Sequence, residues 1–228
     1  MIPIKDENPT STFPIFTIGI IALNCIIFLY QQSLGRAAAG FILTYGAVPD
    51  AVSSFRMTDF PAPLTLLTSM FLHGGWLHLI GNMLYLWIFG NNIEDQLGHL
   101  RFLVFYLVCG AVASSAHIAV TPHSRIPMVG ASGAIAGVLG AYIVKFPHAR
   151  VLTLLWLGFF VRLVRIPAIF FLGFWFIMQL IFGLPSLATP GTGEIAFFAH
   201  IGGFLAGLFL FPLWERRLRR RRVSYSRL

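Results

Sequence analysis

The sequence predicts an all-α membrane protein, a bundle of six transmembrane helices with a long first outer loop. Three observations carry that expectation. Hydrophobic residues make up 57% of the 228 and charged residues only 11%, where a soluble domain carries about 25% charged. The apolar residues fall in blocks of about 20, the length that spans a hydrocarbon core roughly 30 Å thick. The basic residues are also distributed unevenly between alternate connecting segments.

In chain order, the expected spans are 14–32, 76–92, 101–120, 132–147, 166–184 and 195–213. The start "MIPIKDENPTST" has no basic n-region, and no small-residue cleavage site follows "CIIFLYQQ", so the first span reads as a retained helix. Residues 33–75 form the long outer connection, with apolar patches that pack on the membrane surface or dip into it against protein. The stretch "VLTLLWLGFFVRL" (151–163) is apolar, but Arg162 and Arg165 suit an interfacial segment better than a seventh span. The loops "TPHSRIPMVGA" and "PSLATPGTGE" carry the proline and glycine of turns. One domain covers 1–228, with its core at 14–213 and a basic tail at 214–228.

Basic residues accumulate on the cytoplasmic side of membranes. Seven of the sixteen lie in the tail "ERRLRRRRVSYSRL". With six spans and this tail inside, the N-terminus is inside too. Thirteen basic residues then face the cytoplasm, and three (Arg36, Arg56, Arg125) face outward. The net charge of +8 is thereby read as contact with anionic lipid rather than with nucleic acid. Cys25 and Cys109 both fall within spans, lack metal-ligand spacing and read as small buried hydrophobes. No metal site is expected.

A polar side chain inside a bilayer is expensive and by default a functional candidate. His78 and Asn82 lie in the second span, Ser132 in the fourth and His200 in the sixth, with Asn24, Ser114, Ser115, His117 and Gln179 completing the set. His78 stands 16 residues before Glu94, and His200 stands 15 before Glu215. Ser132 stands 13 before Lys145 and 18 before Arg150. At 1.5 Å per residue these groups all lie roughly 20–27 Å above the cytoplasmic boundary. Asn82 is one turn from His78 on the same helix face.

Glycine costs about 1 kcal/mol in a water-exposed helix, but in lipid small residues let helix backbones approach closely. Gly133 and Gly137 form one small-xxx-small stripe, and Gly203 and Gly207 form another. If the stripes face each other, Ser132 and His200 meet just above them. A serine beside a histidine is a nucleophile beside a general base. No carboxylate lies mid-span, so the pair would be a dyad, with oxyanion donors from the Ser132 amide, Asn82 and His78. Each residue also has a plainer reading. Ser132 suits a helix N-cap, and the other three suit interhelical hydrogen bonds. Their common depth favours the chemical reading.

These residues resemble the rhomboid intramembrane serine proteases. The GxSG pattern matches Gly130, Ala131, Ser132 and Gly133; AHxxG matches Ala199, His200 and Gly203; HxxxN matches His78 and Asn82, after His73. Glu94 and Gly98 match the family's ExxxG turn. The likeness extends from about 65 to 213. It implies a Ser132–His200 dyad, an oxyanion site of His78, Asn82 and the Ser132 amide, and no cofactor. It also implies membrane-anchored protein substrates and a lateral gate near the fifth span and the "PSLATPGTGE" loop. Two positions depart from common family residues. Leu64-Thr65 stand where Trp-Arg is frequent, and Ala136 stands where many bacterial members place a tyrosine against the base.

The function expected is therefore an intramembrane serine endopeptidase in a multi-pass prokaryotic plasma-membrane setting, cutting near the outer membrane boundary. The alternative is an inactive rhomboid-fold binder of transmembrane segments. A transporter would spread ionisable groups along a path across the bilayer, whereas these groups sit near one face. Zinc and aspartyl intramembrane proteases are excluded by inventory: there is no HExxH and no mid-span aspartate pair.

Overall fold

A computed structural model describes residues 1–56, 60–158, 160–186 and 196–225. Among these, four helices are long and apolar enough to cross a membrane: Ile15–Ser33, His99–Val120, Ala168–Pro185 and Phe197–Glu215. In chain order the elements are β1 (Ile2–Asp6), α1 (Ile15–Ser33), α2 (Ala38–Tyr45), α3 (Pro49–Ser53), α4 (Thr65–Thr68), α5 (Trp76–Tyr85), α6 (Asn91–Leu97), α7 (His99–Val120) and α8 (Ser132–Lys145). They continue with β2 (Arg150–Leu157), β3 (Phe160–Pro167), α9 (Ala168–Ser186) and α10 (Phe197–Tyr225). A π-helical turn, Leu86–Gly90, joins α5 to α6, so helical backbone runs on from Trp76 to Leu97. Helix α8 is shorter, at 14 residues, and apolar.

The all-α expectation needs one correction. Strands β2 and β3 pair as a β-hairpin, and β1 adds to the free side of β2, giving a three-stranded antiparallel sheet in the order β1-β2-β3. The reason is local: "RVLTLLWL" and "FVRLVRIP" are rich in residues that suit a pleated surface, and Gly158, at φ +60°, supplies the left-handed turn between them. The described residues of the stretch 151–163, expected at an interface, lie in this hairpin. Helix α9, expected as a span over 166–184, consequently begins at Ala168, where β3 ends.

Helix α8 lies at the centre of the bundle, packed chiefly against α10 and α7. Ten of its residues, from Gly133 to Tyr142, are buried. That packing depends on glycine. A methyl group on Gly137 would lie 2.7 Å from Cys109 Sγ and 3.3 Å from the Gly203 carbonyl oxygen. On Gly207 it would lie 2.6 Å from the Gly137 carbonyl carbon. Backbone therefore meets backbone between α8 and α10.

The end of the bundle opposite Ser132, here called the base, is held by carboxylates. Glu94 is fully buried and accepts hydrogen bonds from the backbone N–H groups of Phe16 (2.9 Å) and Thr17 (2.8 Å) and from the Thr17 hydroxyl (2.7 Å). His99 Nδ1 approaches it to 2.6 Å. A carboxylate there satisfies the unpaired first-turn amides of α1 and complements its dipole. Gly98, at φ +79°, turns the chain from α6 into α7, and its N–H bonds back to the Glu94 carbonyl. Asp6 accepts from Tyr142 Oη at 2.6 Å and Asn92 Nδ2 at 2.8 Å, joining β1 to the helix that carries Ser132. Asp95 accepts from Ser11 and Thr12, Arg165 pairs with Glu7, and Lys145 pairs with Glu215.

At the other end, the region after α1 folds back as α2, α3 and α4. Gln31 Nε2 donates to the His73 carbonyl at 2.7 Å, and Thr68 Oγ1 donates to the Tyr45 carbonyl at 2.6 Å. Thr65, in the Leu64-Thr65 departure, turns its hydroxyl back to the Ala62 carbonyl. Residues 187–195, most of the loop "PSLATPGTGE", lie outside the described residues, as do the side chains of the arginine-rich tail beyond 215.

Candidate active site

Ser132 is the first residue of α8. The N-cap position before it is held by Ala131. Ser132 Oγ lies 2.8 Å from Nε2 of His200, one turn into α10. The close approach of the two helices at Gly133, Gly137, Gly203 and Gly207 is what permits this. A methyl group on Gly203 would sit 3.0 Å from the Gly133 carbonyl carbon, immediately beneath the pair. The contact joins a hydroxyl to an imidazole.

His78 and Asn82 approach from α5. Gly130, two residues before Ser132, has φ +124°, a backbone conformation that favours glycine. Its missing side chain makes room: a methyl there would lie 2.7 Å from His78 Nε2 and 3.7 Å from Asn82 Nδ2. The Gly130 N–H is held by the Ser69 carbonyl at 2.9 Å. Asn82 is buried, yet its Nδ2 has no hydrogen-bond partner. Buried donors are nearly always paired, and an orphan calls for an explanation. Here the free N–H donor is brought beside the chain segment that leads into Ser132. Ser132 N–H, in the first turn of α8, likewise has no acceptor within its own helix.

A cavity of about 20 Å³ opens beside Ser132, lined by Ser69, Gly110, Ser114, Gly130, Gly133 and Ala199 among others. That volume is about the room one water needs. The site thus brings together a hydroxyl, an imidazole, N–H donors and room for one water. No cluster of three or more His, Cys, Asp or Glu occurs among the described residues.

Two further side chains reach the imidazole from α9. Gln179 Oε1 lies 2.8 Å from His200 Nδ1, and the Trp175 ring lies 5.8 Å from the imidazole, centroid to centroid. Sequence reasoning noted Gln179 only as an intramembrane polar residue and passed over Trp175. The depth argument had the means to find Gln179: it stands 14 residues after Arg165, hence roughly 21 Å from the base at 1.5 Å per residue, level with His200.

A helical bundle thus places a serine and a histidine in contact at a glycine-packed helix pair. The Rhomboid domain family pattern matches residues 62–216 of the chain, and the protein belongs to the rhomboid family. Rhomboid protease GluP of Bacillus subtilis (strain 168) is 31% identical over 197 residues, covering 86% of this chain and 34% of that protein. RHOMBOID-like protein 5 of Arabidopsis thaliana is 32% identical over 145 residues, 64% of this chain and 42% of that protein. Rhomboid protein 1, mitochondrial, of Saccharomyces cerevisiae is 29% identical over 151 residues, 64% of this chain and 40% of that protein. The chain therefore spans between a third and a little over two fifths of the length of these relatives.

Proposed function

We propose that the protein is an intramembrane serine endopeptidase that cleaves transmembrane or membrane-anchored proteins near the outer membrane boundary. The observation that carries this reading is the 2.8 Å contact between Ser132 Oγ and His200 Nε2. The name of the Bacillus relative, a rhomboid protease, supports it. In this reading the second span is 76–97 and the fourth is α8, which with the four longer helices gives six spans, and both termini face the cytoplasm, in keeping with the distribution of basic residues.

His200 Nε2 takes the hydroxyl proton as Ser132 Oγ attacks the scissile carbonyl. The resulting oxyanion is held by the Ser132 N–H, Asn82 Nδ2 and His78, donors aimed where charge develops. Collapse of the adduct breaks the C–N bond; the amine leaves with the proton from His200, and the acyl group stays on Ser132. Water, deprotonated by His200, then releases the acid and restores the serine. The reaction needs no metal or cofactor. A peptide bond inside a helix is shielded by its own hydrogen bonds, so substrates with small or helix-breaking residues near the outer boundary are favoured.

The test uses purified protein in lipid nanodiscs with a fluorogenic transmembrane substrate. Ser132→Ala and His200→Ala each abolish cleavage while the melting temperature stays near that of the wild type, and a fluorophosphonate probe labels the wild type at Ser132 alone. Normal cleavage by the Ser132→Ala variant refutes the mechanism. A wild-type protein that the probe never labels is instead the inactive binder.

A further inference from the structure

We propose that Gln179, backed by Trp175, is a positioning residue for His200, selecting the ring tautomer that can act as a base. The inference deepens the Ser132–His200 reading and rests on it for its catalytic consequence.

The argument begins with the amide. Gln179 is buried and one helical turn beyond Trp175, so both project from the same face of α9. Its Nε2 lies 3.3 Å from the Trp175 carbonyl oxygen. A carbonyl only accepts, so the group facing it is the NH₂, and Oε1 is the atom turned to the imidazole. Oε1 in turn only accepts. The proton it receives, across 2.8 Å, is therefore on His200 Nδ1. A neutral imidazole with its proton on Nδ1 has a lone pair on Nε2, which is the nitrogen facing Ser132 Oγ. The chain of bonds from Trp175 carbonyl to Gln179 to His200 to Ser132 thus leaves one productive arrangement of protons.

The orienting group is a neutral amide where hydrolase triads elsewhere use a carboxylate. It fixes the tautomer without adding a buried charge, which suits a site with no mid-span acid. The Trp175 ring, 5.8 Å from the imidazole and tilted 39° to it, lies within the range in which an aromatic face attracts a cation. It favours the imidazolium that forms during attack. Trp175 and Phe176 pack on Phe204, one turn beyond His200 on α10, so the ring is itself held. Ala136 offers the imidazole no ring, and Trp175 supplies one.

The consequence is that His200 is controlled by a third helix. Ser132 belongs to α8 and His200 to α10, but the tautomer is set from α9, which touches the rest of the bundle mainly through α10, α8 and the sheet. A shift of α9 by an ångström or so breaks the Gln179 bond and leaves the imidazole free to exchange tautomers.

The experiment compares Gln179→Leu, Gln179→Glu and wild type in nanodiscs by kinetics and by ¹⁵N NMR of labelled histidine, with His200 assigned by difference against His200→Ala. Gln179→Leu lowers kcat by roughly 10–100-fold, as removing an orienting partner does elsewhere, with KM unchanged and the fold intact. Gln179→Glu keeps an acceptor at Nδ1 and recovers activity relative to Leu. The other titratable groups acting on His200 are His78 of α5 and His117 of α7, and neither variant alters them. In the Ser132→Ala background, which has no activity to lose, His200 is protonated on Nδ1, and Gln179→Leu turns it into a mixture of tautomers. An unchanged tautomer in Gln179→Leu overturns the proposal, as does an unchanged kcat. Absence of cleavage by wild type with the tautomer shift present overturns the protease reading and leaves the Gln179 contact standing.

Discussion

Gly207→Ala adds one methyl group, far from any reacting atom, and should nearly silence the site. The methyl would lie 2.6 Å from the carbonyl carbon of Gly137 and 2.8 Å from its Cα, whereas ordinary contact begins at 3.4 Å. The obstacle is backbone, so no side chain can rotate away, and α8 and α10 must part by about 1 Å. Ser132 and His200 ride on those two helices at 2.8 Å, and an added ångström takes them beyond hydrogen-bond range. Misplacement of that size costs on the order of 10²-fold in rate, and overpacking costs about 1–3 kcal/mol in stability. Gly19→Ala is the control, because a methyl there meets nothing within 4 Å. The assay is kcat on the transmembrane substrate beside a thermal melt of each variant. If Gly207→Ala cleaves at the wild-type rate, the helices tolerate separation and the glycine stripe does not set the geometry of the pair.

Other outcomes follow from the same structure. Asn82→Ala should lower kcat by about 10²–10³-fold, the usual cost of one oxyanion donor, with KM little changed in steady-state kinetics. Glu94→Ala should destabilise the fold by about 1–3 kcal/mol, because it strands buried amides of α1, and calorimetry in detergent reads this as a lower melting temperature. Burial, opposed by the bonds from Tyr142 and Asn92, raises the Asp6 carboxyl above its ordinary 3.8. A native value above the unfolded one means that the docked arm holds the proton more tightly. That contribution is complete below the unfolded value and is lost as pH rises through the native one. Proteolysis within residues 1–14 should accordingly quicken as pH rises from about 4, and Asp6→Asn should flatten that dependence.

The helices were legible because apolar blocks and their charged ends follow directly from the thickness of a bilayer. Ser132, His78, Asn82 and His200 stood out for the same reason, as polar groups where polarity is costly. The sheet was not legible as such. Within "VLTLLWLGFFVRL" a continuous apolar run shows neither helical nor strand periodicity, and the strand that completes the sheet lies about 150 residues earlier in the chain. Gln179 was visible as a polar residue but not as a partner of His200. Span depth places it at the right level, while the facing of α9, set by Trp175 and Phe176 against Phe204, comes only from packing. Gly130 showed in the motif, but its positive φ and the room it makes for His78 belong to the folded backbone alone.

The pairing of β1 with β2 also sets an order of events during synthesis. The first strand leaves the ribosome well before the backbone it bonds, from Val151 to Leu154, which lies about 145 residues further along the chain. At about 5–20 residues per second that is a wait on the order of ten seconds or more. Until then the row of amides on Ile2–Asp6 lacks its partner, so closure of the sheet is a late checkpoint that requires the intervening helices to have been threaded into the lipid in the right sequence.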